Sequence, residues 1–233
     1  MHLFYIPEIH GNFVGLNEAE SKHCVKVLRL AEGDEVQMVD GKGGFYNAVI
    51  SKADIKKTIL KITARQIGFE KRDYYLHIGI APTKNIGRFE WFLEKATEIG
   101  IDEITPLVSA HSERKTVKAE RLKKILISAM KQSVKAFLPK LNEITLYARF
   151  IELPFEGSKF IAHCHSTEEA PLKGLVEKKK KVIILIGPEG DFSEKEIQDA
   201  QQHGFTGVSL GNSRLRTETA GVVACHTVSL INQ

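Results

Sequence analysis

Short runs of alternating apolar and polar residues dominate the first seventy positions of the chain. Asn17, with a carboxylate three residues later at Glu20, is typical of a helix N-cap, and we expect a helix from there through Leu30. Alternation on either side of a glycine-rich turn predicts a β-hairpin, and one more alternating run follows it. The pattern therefore predicts a small β-rich domain over residues 1–70. Its strands are expected over residues 35–40, 45–50 and 58–67.

Strand and helix patterns alternate over residues 74–233. Apolar residues spaced i, i+3, i+4 and i+7 predict one helix that ends at Gly100, another closed by Pro139 and a third at the C-terminus. Ser193 and Glu196 have the spacing of a capping box, which predicts a further helix. Such alternation favours an α/β domain with a mostly parallel sheet. Its strands are expected over residues 74–81, 104–108, 159–163, 182–186 and 208–210.

The composition is that of an ordinary globular protein, with 42% hydrophobic and 27% charged residues. The net charge of +4 is only mildly basic, although basic residues crowd residues 113–135. The N-terminus lacks the basic and apolar regions of a secretory signal, and the apolar runs are too short to cross a bilayer. We therefore expect a cytoplasmic protein without a membrane partner.

The cysteines and histidines carry little sign of a metal site. The three cysteines are widely spaced, so neither a disulfide framework nor a metal motif is indicated. His163 and His165 flank Cys164 at a strand end, but no third ligand stands nearby, and we expect no metal. The large side chains of the helices are expected in the core or, for the histidine, in the core or an interface. They are Phe89, Trp91, Phe92 and His226.

Two glycine-marked segments follow apolar strands of the α/β region. The first is Gly-Pro-Glu-Gly at residues 187–190, and the second spans residues 210–220. In open α/β sheets ligands bind beyond the carboxyl ends of the strands, and glycine lets the backbone approach them closely. An ordinary strand-to-helix connection explains the first segment equally well. A dinucleotide dehydrogenase and a P-loop NTPase are disfavoured because neither of their glycine motifs occurs.

The second segment places unusual charge at the start of the last helix. Thr217 or Thr219 is expected to cap this helix, and Glu218 in the first turn suits the positive end of the helix dipole. Capping does not explain Arg216, because a cation is unfavourable at a helix N-terminus. We therefore expect Arg216 to meet an anionic ligand or substrate.

Two groups of residues carry a specific family resemblance. The first group is Leu185-Ile186-Gly187-Pro188-Glu189-Gly190, Leu210-Gly211 and Leu215-Arg216-Thr217-Glu218-Thr219-Ala220. The second is spread along the chain in a fixed order: His23, Val27-Leu28-Arg29, Gly33-Asp34, Lys84, Glu94-Lys95-Ala96-Thr97-Glu98, Gly100, Ser112-Glu113-Arg114 and Gln132-Ser133. Together they resemble the knotted SPOUT class of methyltransferases. Within that class the chain is similar to the ribosomal RNA small subunit methyltransferase E family, which methylates N3 of a uridine in 16S rRNA.

The resemblance implies both fold and partners. It implies a knotted SPOUT domain over residues 74–233 and a PUA-like, RNA-binding β-barrel over residues 1–70. It also implies S-adenosylmethionine as the methyl donor, a homodimer formed through the knot region, and 16S rRNA within the 30S subunit as the substrate. The residues expected to bind the cofactor are Leu185, Gly187, Pro188, Glu189, Gly190, Leu210, Gly211, Leu215, Thr219 and Ala220.

Methyl transfer to uridine N3 requires that the imide lose its proton. Arg216 is expected to stabilise the charge that develops on the base. Glu218 or Thr217 is expected to accept the proton or orient the base, although helix capping explains both residues equally well. Dispersed cations are expected to contact RNA phosphates. For each of them, an ordinary surface charge is the alternative interpretation. These cations are His23, Arg29, Lys84, Arg114 and Lys135.

The chain departs from the family pattern at three places. Asp191 stands where a second glycine is usual, Asn212-Ser213-Arg214 replaces Pro-Arg-Ile, and Val134-Lys135 replaces Gly-Arg. Two other functions stay open. One is a related knotted enzyme that acts on another RNA, and the other is an RNA-binding protein with an inactive cofactor site. Cofactor binding separates the latter from both enzymes, and the substrate separates the two enzymes from each other.

Overall fold

The computed structural model describes residues 2–164 and 169–233, which divide into two compact units. Unit 1 contains Met1–Lys71 and Met130–Leu138, and unit 2 contains Arg72–Ala129 and Pro139–Gln233. The segment Met130–Leu138 belongs to unit 1 because its apolar side chains join a small core there. That core contains Val39, Phe45, Met130 and Ala136. Sequence periodicity describes neighbours along the chain, so it carried no sign of this long-range contact.

Unit 1 is built on a five-stranded mixed sheet. The strands are β1 (Leu3–Tyr5), β2 (Phe13–Gly15), β3 (Glu35–Val39), β4 (Gly44–Lys52) and β5 (Ile59–Ile67). Their order is β1-β3-β4-β5-β2; β1 runs parallel to β3, and the other neighbouring pairs are antiparallel. The predicted hairpin is confirmed, because β3 pairs with β4 from Glu35↔Val49 to Val39↔Phe45.

The helix of unit 1 is shorter than the sequence predicted. α1 (Glu18–Lys22) begins after Asn17, whose side chain caps it as expected. His23–Val27 then forms a π-helical turn, in which the Leu28 amide donates to the His23 carbonyl at 2.9 Å. Arg29 has a φ of 58°, which ends the helical segment. The predicted extent was wrong because apolar spacing does not reveal where an i→i+5 turn replaces an α-helical one.

Unit 2 contains a parallel sheet, as the alternating pattern predicted. The strands are β6 (Tyr75–Ile80), β7 (Glu103–Val108), β8 (Lys140–Leu141), β9 (Thr145–Leu146), β10 (Ser158–Ala162), β11 (Lys181–Ile186) and β12 (Thr206–Val208). Among the described residues the strand order is β12-β10-β11-β6-β7-β8, and β9 also pairs with β7. Each of these pairs is parallel.

The helices of unit 2 follow the predicted pattern with one short addition before β10. They are α2 (Ile86–Ile99), α3 (Ala119–Gln132), the added α4 (Tyr147–Ile151), α5 (Glu194–Gln202) and α6 (Thr217–Ile231). The Ser193–Glu196 capping box is confirmed, and Gly100 ends α2 in the left-handed conformation, with a φ of 118°. The last helix, α6, packs against α2, β6 and β11. A Cβ at Gly221 would meet the Phe92 ring at 2.7 Å, so this contact requires glycine. The threading of this helix through a knot stays a prediction.

One histidine is buried in the middle of this sheet. His77 Nε2 lies 2.8 Å from Thr105 Oγ1 on the adjacent strand, and the ring meets Phe150 edge-on. Burial lowers the pKa of His77 to about 4, while nearby Glu103 opposes that shift and Lys140 adds to it. His77 is therefore neutral at physiological pH.

Two of the departures from the family pattern fall on unusual backbone. Asp191 has a φ of 62° and Val134 a φ of 57°, both in the left-handed region that favours glycine. The chain keeps the backbone conformation of a glycine at both positions. Asp191 adds contacts that glycine lacks, because its carboxylate accepts hydrogen bonds from the amides of Cys164 and Phe192, each at 2.8 Å.

Candidate functional site

The two glycine-marked segments lie at one edge of the parallel sheet. The segment at 187–190 follows β11, and the segment at 210–220 follows β12. Both strands pair in parallel with β10, which lies between them, so their carboxyl ends point the same way. This arrangement is the one in which α/β sheets bind ligands.

The first segment, residues 187–190, begins buried and ends exposed. Gly187 and Pro188 are buried, whereas Glu189 and Gly190 are exposed. Glu189 Oε1 accepts a hydrogen bond from the backbone amide of Lys84 at 2.9 Å, and thereby ties this segment to the loop that follows β6. The His111 ring packs against Gly190, with Nδ1 3.1 Å from its carbonyl oxygen.

Leu185 lies differently from the other predicted cofactor residues. It is fully buried in an apolar cluster with Leu107, Phe150 and Phe192. Core packing therefore accounts for its side chain, and the expectation that Leu185 binds the cofactor stays a prediction.

The second segment is more open than the first. Leu210 and Leu215 are half-buried, and Gly211 is exposed. Gly211 has a φ of 124°, and no atom lies within 4 Å of the place where a Cβ would stand. The segment thus combines apolar side chains with a backbone that a ligand can approach.

The start of α6 differs from the prediction. Arg216, not a threonine, occupies the N-cap position, and its side chain makes no capping hydrogen bond. Thr217 is the first helical residue and is buried, while Thr219 and Ala220 lie half-buried in the first turn. The expectation that Thr217 or Thr219 caps the helix was therefore wrong. Arg216 is exposed, so its charge remains available to a ligand.

Glu218 is the most unusual residue of this helix end. It is only 6% exposed, and within the described residues its Oε2 has no hydrogen-bond partner. Its Oε1 lies 3.8 Å from Arg88 Nε, which is an ion pair without a short hydrogen bond. The N-terminus of α6 adds partial positive charge beside this side chain. A buried oxygen without a donor is costly, so the arrangement suits a ligand that brings an N–H group.

A cavity of about 310 Å³ connects these residues with the start of α2. It brings together three residues that the sequence singled out and four that it missed. The three are Arg216, Glu218 and Thr219; the four are Asn85, Gly87, Arg88 and Trp91.

Trp91 was predicted to lie in the core, and that prediction was wrong. Its side chain is 42% exposed, whereas Phe89 and Phe92 on the same helix are fully buried. Helical periodicity could have indicated this exposure, since Trp91 falls outside the buried stripe that Phe89, Phe92 and Leu93 form.

The cations predicted to contact RNA fall in both units. His23 and Arg29 are exposed and Lys135 is half-buried in unit 1. In unit 2, Lys84 is exposed and its Nζ lies 2.8 Å from Glu113 Oε2. Arg114 is half-buried and donates from Nε to the Thr83 carbonyl at 3.0 Å.

Arg114 also donates from Nη2 to the Lys84 carbonyl at 2.6 Å. It therefore holds the loop after β6 in place, a role that the sequence did not predict. The guanidinium group retains N–H donors that can bind phosphate, but part of its donor capacity is already used.

Other predicted features have plain structural outcomes. His226 is exposed on α6, so its assignment to the core was wrong, and the interface alternative stays open. His165 lies outside the described residues. Within residues 2–164 and 169–233 no three potential metal-ligating side chains come together. None of the helices described there has the length and apolarity that a bilayer crossing demands.

Comparisons with known proteins identify the family. The RNA methyltransferase domain matches residues 70–229, and the RNA methyltransferase PUA domain matches residues 16–63. The ribosomal RNA small subunit methyltransferase E of Aquifex aeolicus (strain VF5) is 30% identical over 227 residues, covering 95% of this chain and 96% of that protein.

Two solved structures superpose over the whole chain. A probable rRNA methyltransferase from Porphyromonas gingivalis has a TM-score of 0.93 at 41% identity and covers 100% of this chain and 98% of its own. The ribosomal RNA small subunit methyltransferase E of Neisseria gonorrhoeae, bound to S-adenosyl methionine, has a TM-score of 0.90 at 26% identity, with coverage of 100% and 98%. The predicted α/β fold class and the predicted resemblance are confirmed. The chain belongs to the RNA methyltransferase domain family and, within it, to the ribosomal RNA small subunit methyltransferase E group.

Proposed function

We propose that this protein uses S-adenosylmethionine to methylate N3 of one uridine in 16S rRNA, within the 30S subunit. The observation that carries the proposal is the buried Glu218 carboxylate: its Oε2 has no donor within the described residues, and Glu218 lines a cavity together with the exposed Arg216. The family of the chain supports the reaction class. We also expect the protein to act in the cytoplasm, where ribosomal subunits are found.

The residues at the sheet edge fit the cofactor. The open backbone at Gly211, with a φ of 124° and free space on its Cβ side, can accept close contact from an adenine ring or a methionine chain. S-adenosylmethionine, when bound, supplies a methyl group on a sulfonium sulfur that leaves as a neutral thioether. The residues that we propose to hold it are Gly187, Pro188, Glu189, Gly190, Leu210, Gly211, Leu215, Thr219 and Ala220, and Leu185 through its backbone.

Glu218 is proposed to take the proton from uridine N3. Its unpartnered Oε2 would accept a hydrogen bond from the N3–H group, which would orient the base as well as bind it. When the N3 electron pair forms the new N–C bond, the N3 proton passes to that oxygen. Thr217 is buried beside Glu218, so we assign it the role of supporting the helix end and not that of the base.

Arg216 is proposed to stabilise the negative charge that develops on the uracil carbonyl oxygens. Its position at the N-cap leaves the guanidinium exposed, and it lines the same cavity as Glu218. The peptide groups at the start of α6 add partial positive charge in the same place. A positive group beside O2 or O4 favours the imidate over the neutral imide.

RNA is proposed to bind through phosphate contacts, with His23, Arg29 and Lys135 in one unit and Lys84 and Arg114 in the other. A groove along α3 supports this, because Lys118, Arg121 and Lys124 line it. Binding of this kind weakens steeply with salt, by roughly one order of magnitude in affinity per tenfold salt for each phosphate neutralised. Fluorescence titrations of the protein with 16S rRNA at several salt concentrations would measure that slope, and a slope near zero contradicts the assignment.

We also propose a homodimer. α6 carries an exposed Leu230 on the same helical face as His226, one turn away. The exposed Leu230 and His226 form a surface of α6 that a second copy of the chain could cover, and the family resemblance implies an interface through the knot region. Sedimentation equilibrium of the intact chain gives the mass directly, and a monomer at micromolar concentration contradicts the proposal.

The decisive experiment compares three substrates: 30S subunits that lack the modification, naked 16S rRNA and tRNA. Nucleoside analysis by mass spectrometry identifies the methylated base, and 3-methyluridine from the 30S subunits is the expected product. Methylation of tRNA alone would favour the related knotted enzyme, and a failure to bind S-adenosylmethionine in calorimetry would favour the binding protein. An Arg216→Ala variant should bind cofactor normally but lose rate, whereas Arg214→Ala, which removes another exposed arginine of the same segment, should not.

A further inference from the structure

The cavity at the start of α2 and α6 contains an aromatic side chain that the proposed chemistry does not use. Trp91 lines this cavity, with a volume of about 310 Å³, together with Glu218 and Arg216. A volume of that size lies at the lower end of the range of small-molecule sites and can hold one nucleobase.

Trp91 lies on the side of α2 that is not packed against the core. Its neighbours Phe89 and Phe92 are fully buried on the packed face of α2, and Trp91 points away from that face. The indole is 42% exposed and lines the cavity, so a ligand there can reach its ring. Aromatic rings of this kind are the usual platforms on which single-stranded RNA stacks its bases.

The polar groups around the indole match the edge of a base. Glu218 is nine-tenths buried, and its Oε2 lacks a donor within the described residues. Asn85 caps α2 by accepting from the Gly87 amide at 3.0 Å, which leaves the two hydrogens of its amide nitrogen for another acceptor. An acceptor and a donor on one side of an aromatic wall suit a nucleobase that presents an N–H group beside a carbonyl.

We infer that the target base of the RNA stacks on Trp91, with its N–H edge toward Glu218. The inference rests on the proposed function, and it adds Trp91 and Asn85 as positioning residues for the base. Arg88 shares in the arrangement, because its Nε lies 3.8 Å from Glu218 Oε1 and both residues line the cavity.

A matched set of variants tests the stacking role. Trp91→Leu keeps an apolar side chain without a ring, and Trp91→Phe keeps a ring. Trp91→Leu should lower kcat/KM for unmodified 30S subunits about 10- to 100-fold, mainly through KM, while Trp91→Phe should stay within a few-fold of the wild type. S-adenosylmethionine affinity, measured by calorimetry, should not change in either variant.

A direct optical test is available because Trp91 is the only tryptophan of the chain. Its emission should be quenched when an oligouridylate is added in the presence of S-adenosylmethionine, because a stacked base quenches indole fluorescence. An abasic oligonucleotide of the same length carries the phosphates alone and should leave the emission unchanged. Equal quenching by both oligonucleotides would overturn the inference.

The outcomes separate this inference from the proposed function. A wild-type protein that methylates no RNA would refute the function itself. An active enzyme whose Trp91→Leu variant keeps the wild-type kcat/KM would refute only the stacking role. A Trp91→Leu variant that changes the sedimenting mass would show that a second copy of the chain covers the indole, and would also overturn the inference.

Discussion

Arg88 Nε lies 3.8 Å from Glu218 Oε1, and the second carboxylate oxygen of Glu218 is buried without a hydrogen-bond partner among the described residues. The pair thus engages one oxygen of the carboxylate, and no described residue donates a hydrogen bond to the other. An ion pair of this length, with an arginine that is 41% exposed, adds little to stability. Its role is better explained by the orientation of Glu218.

The first prediction concerns Glu218→Gln. The amide keeps the shape of the side chain but cannot accept a proton, so the methylation rate should fall by roughly 10²- to 10⁴-fold. The free energy of unfolding should stay within about 1 kcal/mol of the wild type, since a buried oxygen that lacks a partner is replaced by a neutral group. Single-turnover methylation and chemical unfolding give the two values. Glu177→Gln, at an exposed position, is the matched control, and a wild-type rate in Glu218→Gln would exclude Glu218 as the base.

The second prediction concerns pH and His77. The pKa of this ring is about 4 in the folded chain, against about 6.5 in an unfolded one, because burial disfavours the charged form. The unfolded state therefore binds more protons between these values, and stability falls as the pH is lowered from about 6.5 to about 4. The full loss attributable to His77 is about 3 kcal/mol.

A His77→Asn variant provides the comparison, because it keeps a hydrogen-bonding group beside Thr105 without a titrating ring. Unfolding free energies measured by urea titration should show a shallower slope for the variant in that pH window. Glu103 contributes little to the stability change over most of this pH window. Although burial raises its pKa, hydrogen bonds from Tyr75, Asn142 and Lys140 prevail and lower it to about 2, so its own effect appears only below about pH 4.5. Identical slopes for the two proteins would contradict the assignment.

The third prediction concerns the close approach of α6 to α2. In Gly221→Ala the new methyl group would meet Phe92 at 2.7 Å and Ile80 at 2.9 Å, both within a packed core. Overpacking of this kind costs about 1–3 kcal/mol, against a gain of roughly 1 kcal/mol in helix propensity. We expect a net loss of up to about 2 kcal/mol in the free energy of unfolding, measured by thermal unfolding. Gly174→Ala is the control, since no atom lies within 4 Å of its Cβ position; an equal effect at both sites would argue against close packing.

The fourth prediction concerns Asp191. Its left-handed φ of 62° would suit glycine better, but the carboxylate accepts hydrogen bonds from the amides of Cys164 and Phe192. Bonds to a charged acceptor contribute about 1.5–3 kcal/mol each, which is more than the relief of backbone strain. Asp191→Gly should therefore lower the unfolding free energy by about 1–2 kcal/mol, and Asp191→Asn, with one carbonyl oxygen, should fall between it and the wild type. A glycine variant more stable than the wild type would reverse this account.

The sequence predicted the elements whose signals are local. The period of Phe89, Phe92, Leu93 and Ala96 defined α2, the Ser193–Glu196 spacing defined the start of α5, and the glycine-rich turn defined the first hairpin, because each depends on residues close along the chain. Features set by distant contacts were missed. Periodicity could not show that Met130–Leu138 joins the N-terminal unit.

The candidate site shows the same division. Arg216 was found because a cation is unfavourable at a helix start, and Glu218 was found because it belongs to the same segment, which carries the family resemblance. Trp91, Arg88 and Asn85 were not found, because their part in the cavity depends on how α2 lies beside α6. The wrong prediction of the N-cap residue of α6 has a different cause. The two candidate threonines, Thr217 and Thr219, stand only two positions apart, and composition alone does not decide which peptide group begins the helix.

The π-helical turn at His23–Val27 has a consequence for how this segment can change in evolution. The turn accommodates one residue more than an α-helix of the same height. Because the extra residue is absorbed within the turn, its removal would restore regular α-helix and keep the residues on either side in nearly their present directions. Removing a residue from α1 instead would rotate the residues before the deletion by about 100° relative to those after it. The segment should therefore tolerate the loss of one residue inside the turn better than a loss outside it, and homologous chains without the turn should be one residue shorter here.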